Sequence, residues 1–276
     1  MGINSRFAAI LRTRDQKFFC KGIPTDHPNT RIHHSESQVN RYLPDSIAPP
    51  LVSTIDAGGW LMLVFRHVEG QHADFSPHSS DLPRIAEKIS TKSGELKDIP
   101  NAAADPLGPK IKKFHAWRRF SEGSVSCADL DPWARQNLKK LVAWESNAPD
   151  MVSGDTLLHA DLNPGNILVS GDIYFIDWAC ASRGAAWVDI AYMVPRLMAW
   201  GHSAQQAEEW AQKIPAWNEA TDFALTAFAV NMAGIGEYRS RQGLLKARLA
   251  TMLRQWARYR LKSTSDMMAA RRLSVR

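Results

Sequence analysis

The sequence predicts an α+β chain in two lobes: a small antiparallel β-sheet lobe with one helix over residues 1–68, and a larger, mainly helical lobe over residues 69–276. Three observations carry this reading. Short apolar runs bounded by turn residues crowd into the first 68 residues. Stretches with apolar residues at helical spacing fill most of the remaining chain. A single strand–turn–strand signal, at 166–176, interrupts the helical part.

Taken in order, Phe7–Leu11 and Lys17–Lys21 read as strands around the polar turn Thr13–Gln16, with Lys21 closing the second after an aromatic run. A helix is expected from Ser35 to Tyr42, with Ser35 as its cap, Glu36 in its first turn, and Val39 and Leu43 facing the core. Leu51–Ile55 and Trp60–Phe65 form a further hairpin about Asp56-Ala57-Gly58-Gly59. Asp81–Ser93 and Asp131–Ser146 have helical spacing, with Pro83 and Pro132 near their starts. Between them Gly94–Ser126, rich in Pro, Gly and Lys, has no regular pattern. Trp187–Trp200 is a helix carrying Pro195, and Ser203–Lys213 is another, capped by Ser203. Asp222–Met232 is apolar nearly all round, as a buried helix is. Most of the ten tryptophans fall in this half, where core packing is a commoner use for them than stacking on a substrate ring.

The chain is long enough to bury a full core, and its 45% hydrophobic and 22% charged residues are those of a globular protein. No apolar run reaches membrane-span length, and the N-terminus lacks a signal-peptide plan. Arg6 stands where a myristoylation motif wants Ser or Thr. Cys20, Cys127 and Cys180 are odd in number and lack metal-ligand spacing, which fits a reducing compartment and a cytoplasmic protein. The net charge of +6 is concentrated from Arg239 onward, where the cations face a single acid, Asp266. Such a tail can bind nucleic acid. Here Leu245, Leu249, Met252, Leu253 and Trp256 recur at helical spacing, with Arg254, Arg258 and Lys262 on another face. An amphipathic helix with a solvated basic face accounts for the charge, and no nucleic-acid or membrane partner is expected.

The densest chemistry lies in His159–Asp177, reading HADLNPGNILVSGDIYFID. Pro164 and Gly165 force a loop between Asp161 and Asn166, Asn166–Val169 starts a strand, and Gly171-Asp172 turns the chain into Ile173–Ile176. Asp161, Asn166 and Asp177 thus gather at one end of a hairpin, where oxygen donors suit hard cations and phosphate. Any one of them alone could simply cap a turn. The ordered set is the informative feature.

That spacing is similar to the kinase catalytic signature H-x-D-x-x-x-x-N followed by a metal-binding Asp. In detail it resembles the aminoglycoside phosphotransferase and choline kinase-like family, small-molecule phosphotransferases of protein-kinase-like fold. The resemblance implies that Asp161 orients the acceptor hydroxyl and takes its proton, while Asn166 and Asp177 hold Mg²⁺ against the phosphates. It gives His159 a supporting place in the loop, or a part in general catalysis; Asn163 would face substrate and Asp189 would tie the loop to a helix start. Residues 1–68 would then bind the nucleotide and 69–276 would carry catalysis and the acceptor. Lys21 would touch the α/β-phosphates and Glu36 would hold it, while Phe65, Arg66, His67 and Val68 form a hinge whose backbone pairs with the base. Singly, Lys21 and His67 read as surface groups and Glu36 as a helix-dipole residue. The implied cofactors are ATP (or GTP) and Mg²⁺. For the phosphate-covering loop only Met1–Arg6 is available, without G-x-G-x-x-G.

Departures from protein kinases point to the acceptor. Ala160 replaces the Arg of H-R-D, Asp177-Trp178-Ala179 replaces D-F-G, and residues 178–188 are too few for a peptide-docking segment. These absences imply a small-molecule hydroxyl acceptor. Acceptor pockets of aminoglycoside kinases are acidic, whereas this C-terminal end is basic, although Glu219, Asp222 and Glu237 remain as candidate lining residues. The expected substrate is an antibiotic, neutral or anionic, of nucleoside or sugar-acid character such as the capuramycin type. The alternatives are a metabolic kinase for a sugar, choline or amino alcohol, and a non-catalytic kinase-like binding protein. Retention of Lys21, Glu36, Asp161, Asn166 and Asp177 together weighs against the last.

Overall fold

The computed structural model describes residues 5–274, without the side chains of Lys92 and of 264–274. Contacts divide the chain into two units, each built from two segments: Met1–Asp105 with Asp155–Arg183, and Pro106–Gly154 with Gly184–Arg276. This division does not follow a cut at residue 68: residues up to Asp105 and the hairpin at 167–175 fall in the same unit as the N-terminal sheet.

In the first unit, β1 (Phe7–Arg12), β2 (Lys17–Pro24), β3 (Leu51–Ala57) and β4 (Trp60–Arg66) form an antiparallel sheet in the order β1-β2-β4-β3. The turn between β3 and β4 places Gly58 and Gly59 at φ 59° and 77°, a conformation glycine adopts without steric cost. The register pairs Phe19 with Phe65, Lys21 with Leu63 and Ile23 with Leu61. Alternate residues share a face. Ile23, Leu61 and Leu63 are therefore buried together beneath α1 (Thr30–Asn40), and Lys21 rides on the same face.

Two local expectations are corrected here. α1 begins at Thr30, not Ser35; Ser35 lies inside the helix, donating from Oγ to the Arg31 carbonyl at 3.0 Å. The helix start is held instead by Thr30 Oγ1, which donates to the Pro24 and His27 carbonyls at 2.8 and 2.7 Å. Lys21 lies within β2, which runs on to Pro24, so neighbours on both sides fix its backbone.

The unit is completed by β5 (Gln71–His72), α2 (Asp81–Lys97), β6 (Thr156–Leu158), β7 (Ile167–Val169), β8 (Ile173–Phe175) and the first two residues of β9 (Ser182–Gly184). β5, β7 and β8 form a three-stranded sheet. α2 pins the hairpin tip: Lys88 Nζ lies 2.7 Å from Asp172 Oδ2, and Arg84 donates to the Ser170 carbonyl at 2.9 Å.

The second unit is helical: α3 (Leu107–Lys112), α4 (Ala116–Ser121), α5 (Pro132–Gln136), α6 (Leu138–Glu145), α7 (Ala148–Met151), α8 (Trp187–Ala199), α9 (Ala204–Ala211), α10 (Asp222–Arg241) and α11 (Ala247–Ser274). Asp131 caps α5, and Asn137 separates α5 from α6 where one continuous helix was expected. Ser203 and Gln206 form a reciprocal capping box on α9. Trp187 and Tyr192 stand edge-on to Phe228, and Trp117 donates its indole N–H to the Val230 carbonyl, so the aromatic residues here serve the core. The basic face of α11 is less solvated than its charge implies. Arg254 pairs with Glu237 at 2.8 Å, and Arg258 lies over the Trp133 ring. Among the described residues no helix is long and apolar enough to cross a membrane, and no disulfide links the three cysteines.

Candidate active site

The antiparallel register of β7 and β8 sets Asn166 before one strand and Asp177 after the other, and Ile176 N–H donates to the Asn166 carbonyl at 2.9 Å. Both side chains are therefore delivered to the same end of the hairpin. Asp161 joins them through the loop: Asn166 Nδ2 donates to its carbonyl at 2.9 Å and its carboxylate at 3.2 Å. Asn163 does the same at 3.0 and 3.3 Å, while its Oδ1 accepts from Gly165 N–H at 2.9 Å. With both ends of its amide engaged, Asn163 shapes the loop rather than reaching for a substrate.

His159 is enclosed, 1% exposed. Its Nε2 lies 2.8 Å from the Ile176 carbonyl and its Nδ1 accepts from Asp161 N–H at 3.3 Å. A carbonyl only accepts, so Nε2 carries the proton and the ring is the neutral tautomer. Trp178 packs on it, ring centroids 4.8 Å apart, and donates its indole N–H to the Phe175 carbonyl. Ala160 and Asp177 both sit at positive φ, 60° and 63°, a strained conformation that a rigid setting is needed to hold.

Lys21 joins the hairpin to the sheet. Its Nζ lies 2.7 Å from Glu36 Oε2 and 2.8 Å from Asp177 Oδ1. Burial opposes ionisation of Lys21, but the two carboxylates outweigh it and raise its pKa. Burial likewise resists the charge on Asp177, yet the Lys21 ammonium overcomes this and holds the carboxyl below the ordinary aspartate range. Glu36 is more deeply enclosed; burial dominates and pushes its pKa up against the pull of Lys21. Its carboxylate also accepts from the Trp178 backbone N–H, which anchors the segment after Asp177 to α1.

These groups border a cavity of about 680 Å³, within the range of small-ligand sites. Lys21, Glu36, Asp161, Asn166 and Asp177 line its polar end. Ala8, Phe19, Phe65, Ala48, Pro49, Leu168 and Phe175 give it apolar walls. Of the expected hinge, Phe65, Arg66, His67 and Val68 all line it. Arg66 N–H is used by the Pro50 carbonyl and His67 N–H by the Lys17 carbonyl.

The donor set fits a magnesium ion shared with phosphates. Among the described residues no group of three or more His, Cys, Asp or Glu side chains forms a metal site. Asp177 and Asn166 offer one carboxylate and one amide oxygen, since Asn166 Nδ2 is committed to Asp161. Mg²⁺ is commonly held in that way, with the rest of its shell from phosphate and water.

The structure thus brings all the sequence-predicted site residues of this unit to one cavity or to its supporting loop. It adds Ser5, Asn40 and Trp178 to the lining, and behind Ser5 stands His33. Trp178 was visible as a departure from a known motif. Ser5 and His33 gave no signal, because 28 residues separate them and neither belongs to a spaced pattern.

A model of the phosphotransferase enzyme family matches residues 3–226. No curated protein sequence matches the chain. Among solved structures, a thermostable mutant of aminoglycoside phosphotransferase APH(4)-Ia superposes with a TM-score of 0.63 at 14% identity, covering 96% of this chain and 92% of that one. Choline kinase LicA from Streptococcus pneumoniae gives 0.62 at 15%, covering 95% and 92%. A mutant aminoglycoside 2'-phosphotransferase IIIa, solved as its GDP complex, gives 0.60 at 16%, covering 97% and 94%. At these identities the likeness is one of fold: the two-lobed, protein-kinase-like arrangement of a small antiparallel sheet with one helix and a larger helical part.

Proposed function

From the premise that this chain belongs to the phosphotransferase enzyme family, we propose that it moves the γ-phosphoryl group of ATP, with Mg²⁺, to a hydroxyl of a small molecule. The carrying observation is the convergence on one cavity of the Lys21–Glu36–Asp177 bridge and the Asp161–Asn166 clamp. Phosphoryl transfer passes through a loose transition state, so catalysis is mainly positioning and charge neutralisation. Lys21, fixed by Glu36, supplies a cation at the phosphates. Asp177 and Asn166 would hold Mg²⁺, whose charge would neutralise the phosphate oxygens. Asp161, its carboxylate oriented by two amides, aligns the acceptor hydroxyl and receives its proton. His159, with both ring nitrogens in hydrogen bonds, holds the loop. The apolar walls between the sheet and residues 65–68 receive the base.

The acceptor we favour is an antibiotic of neutral or anionic character, which makes the protein a resistance kinase. Support comes from the second unit, where Glu237 is paired with Arg254 and Asp222 with Arg260 at 2.8 Å. Two of the three acids that could have drawn a polycation are thus neutralised, leaving exposed Glu219. A metabolic alcohol kinase is the second reading, favoured by the fold likeness to choline kinase. The test incubates the protein with Mg²⁺·ATP and a panel of hydroxylated antibiotics, sugars and amino alcohols, and reads phosphoryl gain by mass. An antibiotic product is expected, and it should disappear in Asp161→Ala while Mg²⁺·ATP still binds. A phosphorylated sugar or amino alcohol would establish the metabolic reading. Near-wild-type turnover by Asp161→Ala would remove Asp161 from its role.

A further inference from the structure

The four-stranded sheet of the first unit has two edges, and they differ in kind. β3, at one edge, carries Ser53, Thr54 and Asp56 and breaks register against β4 between Leu51 and Ser53. A bulge and a charge are common defences of a strand edge against further pairing. β1, at the other edge, has no bulge: it reads Phe7-Ala8-Ala9-Ile10-Leu11-Arg12 and pairs with β2 residue for residue. Its one charge, Arg12, stands at its end. Phe7, Ile10 and Leu11 are 37%, 50% and 46% exposed, so large apolar side chains meet water on both faces of this edge.

The phase of the hydrogen bonds shows which backbone groups point outward. At the turn between β1 and β2, Thr13 N–H donates to the Gln16 carbonyl at 2.9 Å. On the β4 side of β2, His67 N–H donates to the Lys17 carbonyl at 3.1 Å and Thr25 N–H to the Gly59 carbonyl at 2.9 Å. Bonded and non-bonded pairs alternate along an antiparallel ladder. Both observations give one phase: Phe7, Ala9 and Leu11 bond to β2. Ala8, Ile10 and Arg12 then turn their N–H and C=O groups to the free edge, where no described strand meets them. Backbone groups so placed take either water or another strand as partner.

We propose that β1 pairs with β1 of a second copy of this chain, antiparallel about a two-fold axis at Ile10, joining two four-stranded sheets into one of eight strands. The strand itself sets the occupant. Apolar on both faces and uncharged along its length, it fits a strand of the same character, and its own copy is one. Two-fold pairing also satisfies the same outward groups on both chains at once. Charge and phase then fix the register. With Ile10 opposite Ile10 of the second copy, Ala8 faces Arg12 and Ala9 faces Leu11, so no like charges meet within the strands. A slide that set Ala8 opposite Ile10 would place Arg6 against Arg12 twice over, which is unfavourable. A six-residue edge is about 20 Å long, so the interface is small and the dimer forms at micromolar concentration. The inference does not depend on the phosphotransferase reading.

Sedimentation velocity of the full chain, over about a hundredfold range of concentration around micromolar values, should show monomer giving way to dimer. Ile10→Lys sets two ammonium groups against each other across the axis and should weaken the dimer at least about tenfold. Ile10→Pro removes an N–H that β2 does not use, so it should abolish the dimer while far-UV circular dichroism stays as in the wild type. Ile10→Lys changes an exposed side chain and reads the proposal even where Ile10→Pro fails to fold. Mild oxidation reads the register. Ile10→Cys brings two Cα atoms to about 5.5 Å, within disulfide reach, and should cross-link above the wild-type level. Leu11→Cys, which faces Ala9 of the second copy, should not. A monomer at every concentration overturns the proposal and leaves the edge to a strand of another protein. A dimer that survives both Ile10 substitutions, or that cross-links through Leu11→Cys in place of Ile10→Cys, overturns this interface.

Discussion

Asn166 Nδ2 donates to both the backbone carbonyl and the carboxylate of Asp161, at 2.9 and 3.2 Å. The residue proposed to hold metal thereby also fixes the residue proposed to receive the proton. Asn166→Ala should lower kcat by about two orders of magnitude, a size typical of a displaced general base. It should weaken Mg²⁺·ATP binding while leaving metal-free ATP unaffected. Steady-state kinetics with calorimetry in the presence and absence of Mg²⁺ checks this, and a change confined to the acceptor KM would contradict it.

His159 separates a supporting role from a chemical one. Both of its nitrogens are engaged, and the ring carries Trp178 on its face. His159→Ala should destabilise the fold by about 1–3 kcal/mol, the cost of unsatisfied buried partners, and slow transfer. The pH dependence of kcat/KM should keep its shape. Loss of an ionisation from that profile would show that the imidazole exchanges protons during turnover.

Lys21 is the cation that bridges Glu36 and Asp177. Lys21→Met should abolish transfer and cost about 3 kcal/mol at pH 7, because it leaves buried carboxylates unpaired. In the variant those groups bind protons more tightly folded than unfolded. Its deficit against the wild type should therefore shrink as pH falls from 7 to 5. Urea unfolding at the two pH values measures this; a deficit that grew on acidification would mean that the carboxylates are not coupled through Lys21.

His33 titrates near 4 in the folded chain and near 6.5 when unfolded. As pH falls below 6.5 the unfolded chain takes up the proton first, so stability drops through the window from 6.5 to 4 and levels below it. The contribution is of the order of 2–3 kcal/mol at pH 4. His33→Gln should flatten the fall of the melting temperature across that window. Identical slopes in the two proteins would show that the ring is not held neutral by its surroundings.

What the sequence disclosed was local. The hairpin at 166–177 declared itself because Pro, Gly and alternating apolar residues act over a few positions, and the spacing of Asp161, Asn166 and Asp177 then placed three oxygens together. The ends of α1 did not: Asn29 makes no side-chain cap, and the polar run at 33–38 has no apolar period to mark a start. The six-residue helices α3 and α4 are too short for a 3.6-residue repeat to stand out. Arg254 read as solvated because its partners, Glu237 and Asp131, lie on other elements. Contacts made only by the folded backbone, Ser5 with His33 among them, leave no trace in spacing.

Because the first unit draws on residues 155–183, it is unfinished when the ribosome has made its first segment. Lys21 must wait for Asp177, 156 positions later, and the whole of Pro106–Gly154 is synthesised in between. Until then Lys21 and Glu36 lie on a sheet without its hairpin, and closing so long a loop makes their meeting with Asp177 a late event in folding. A nascent chain halted before residue 177 therefore emerges without the Lys21–Glu36–Asp177 bridge. The chemistry is acquired at one moment of translation, when the last strand of the hairpin leaves the exit tunnel.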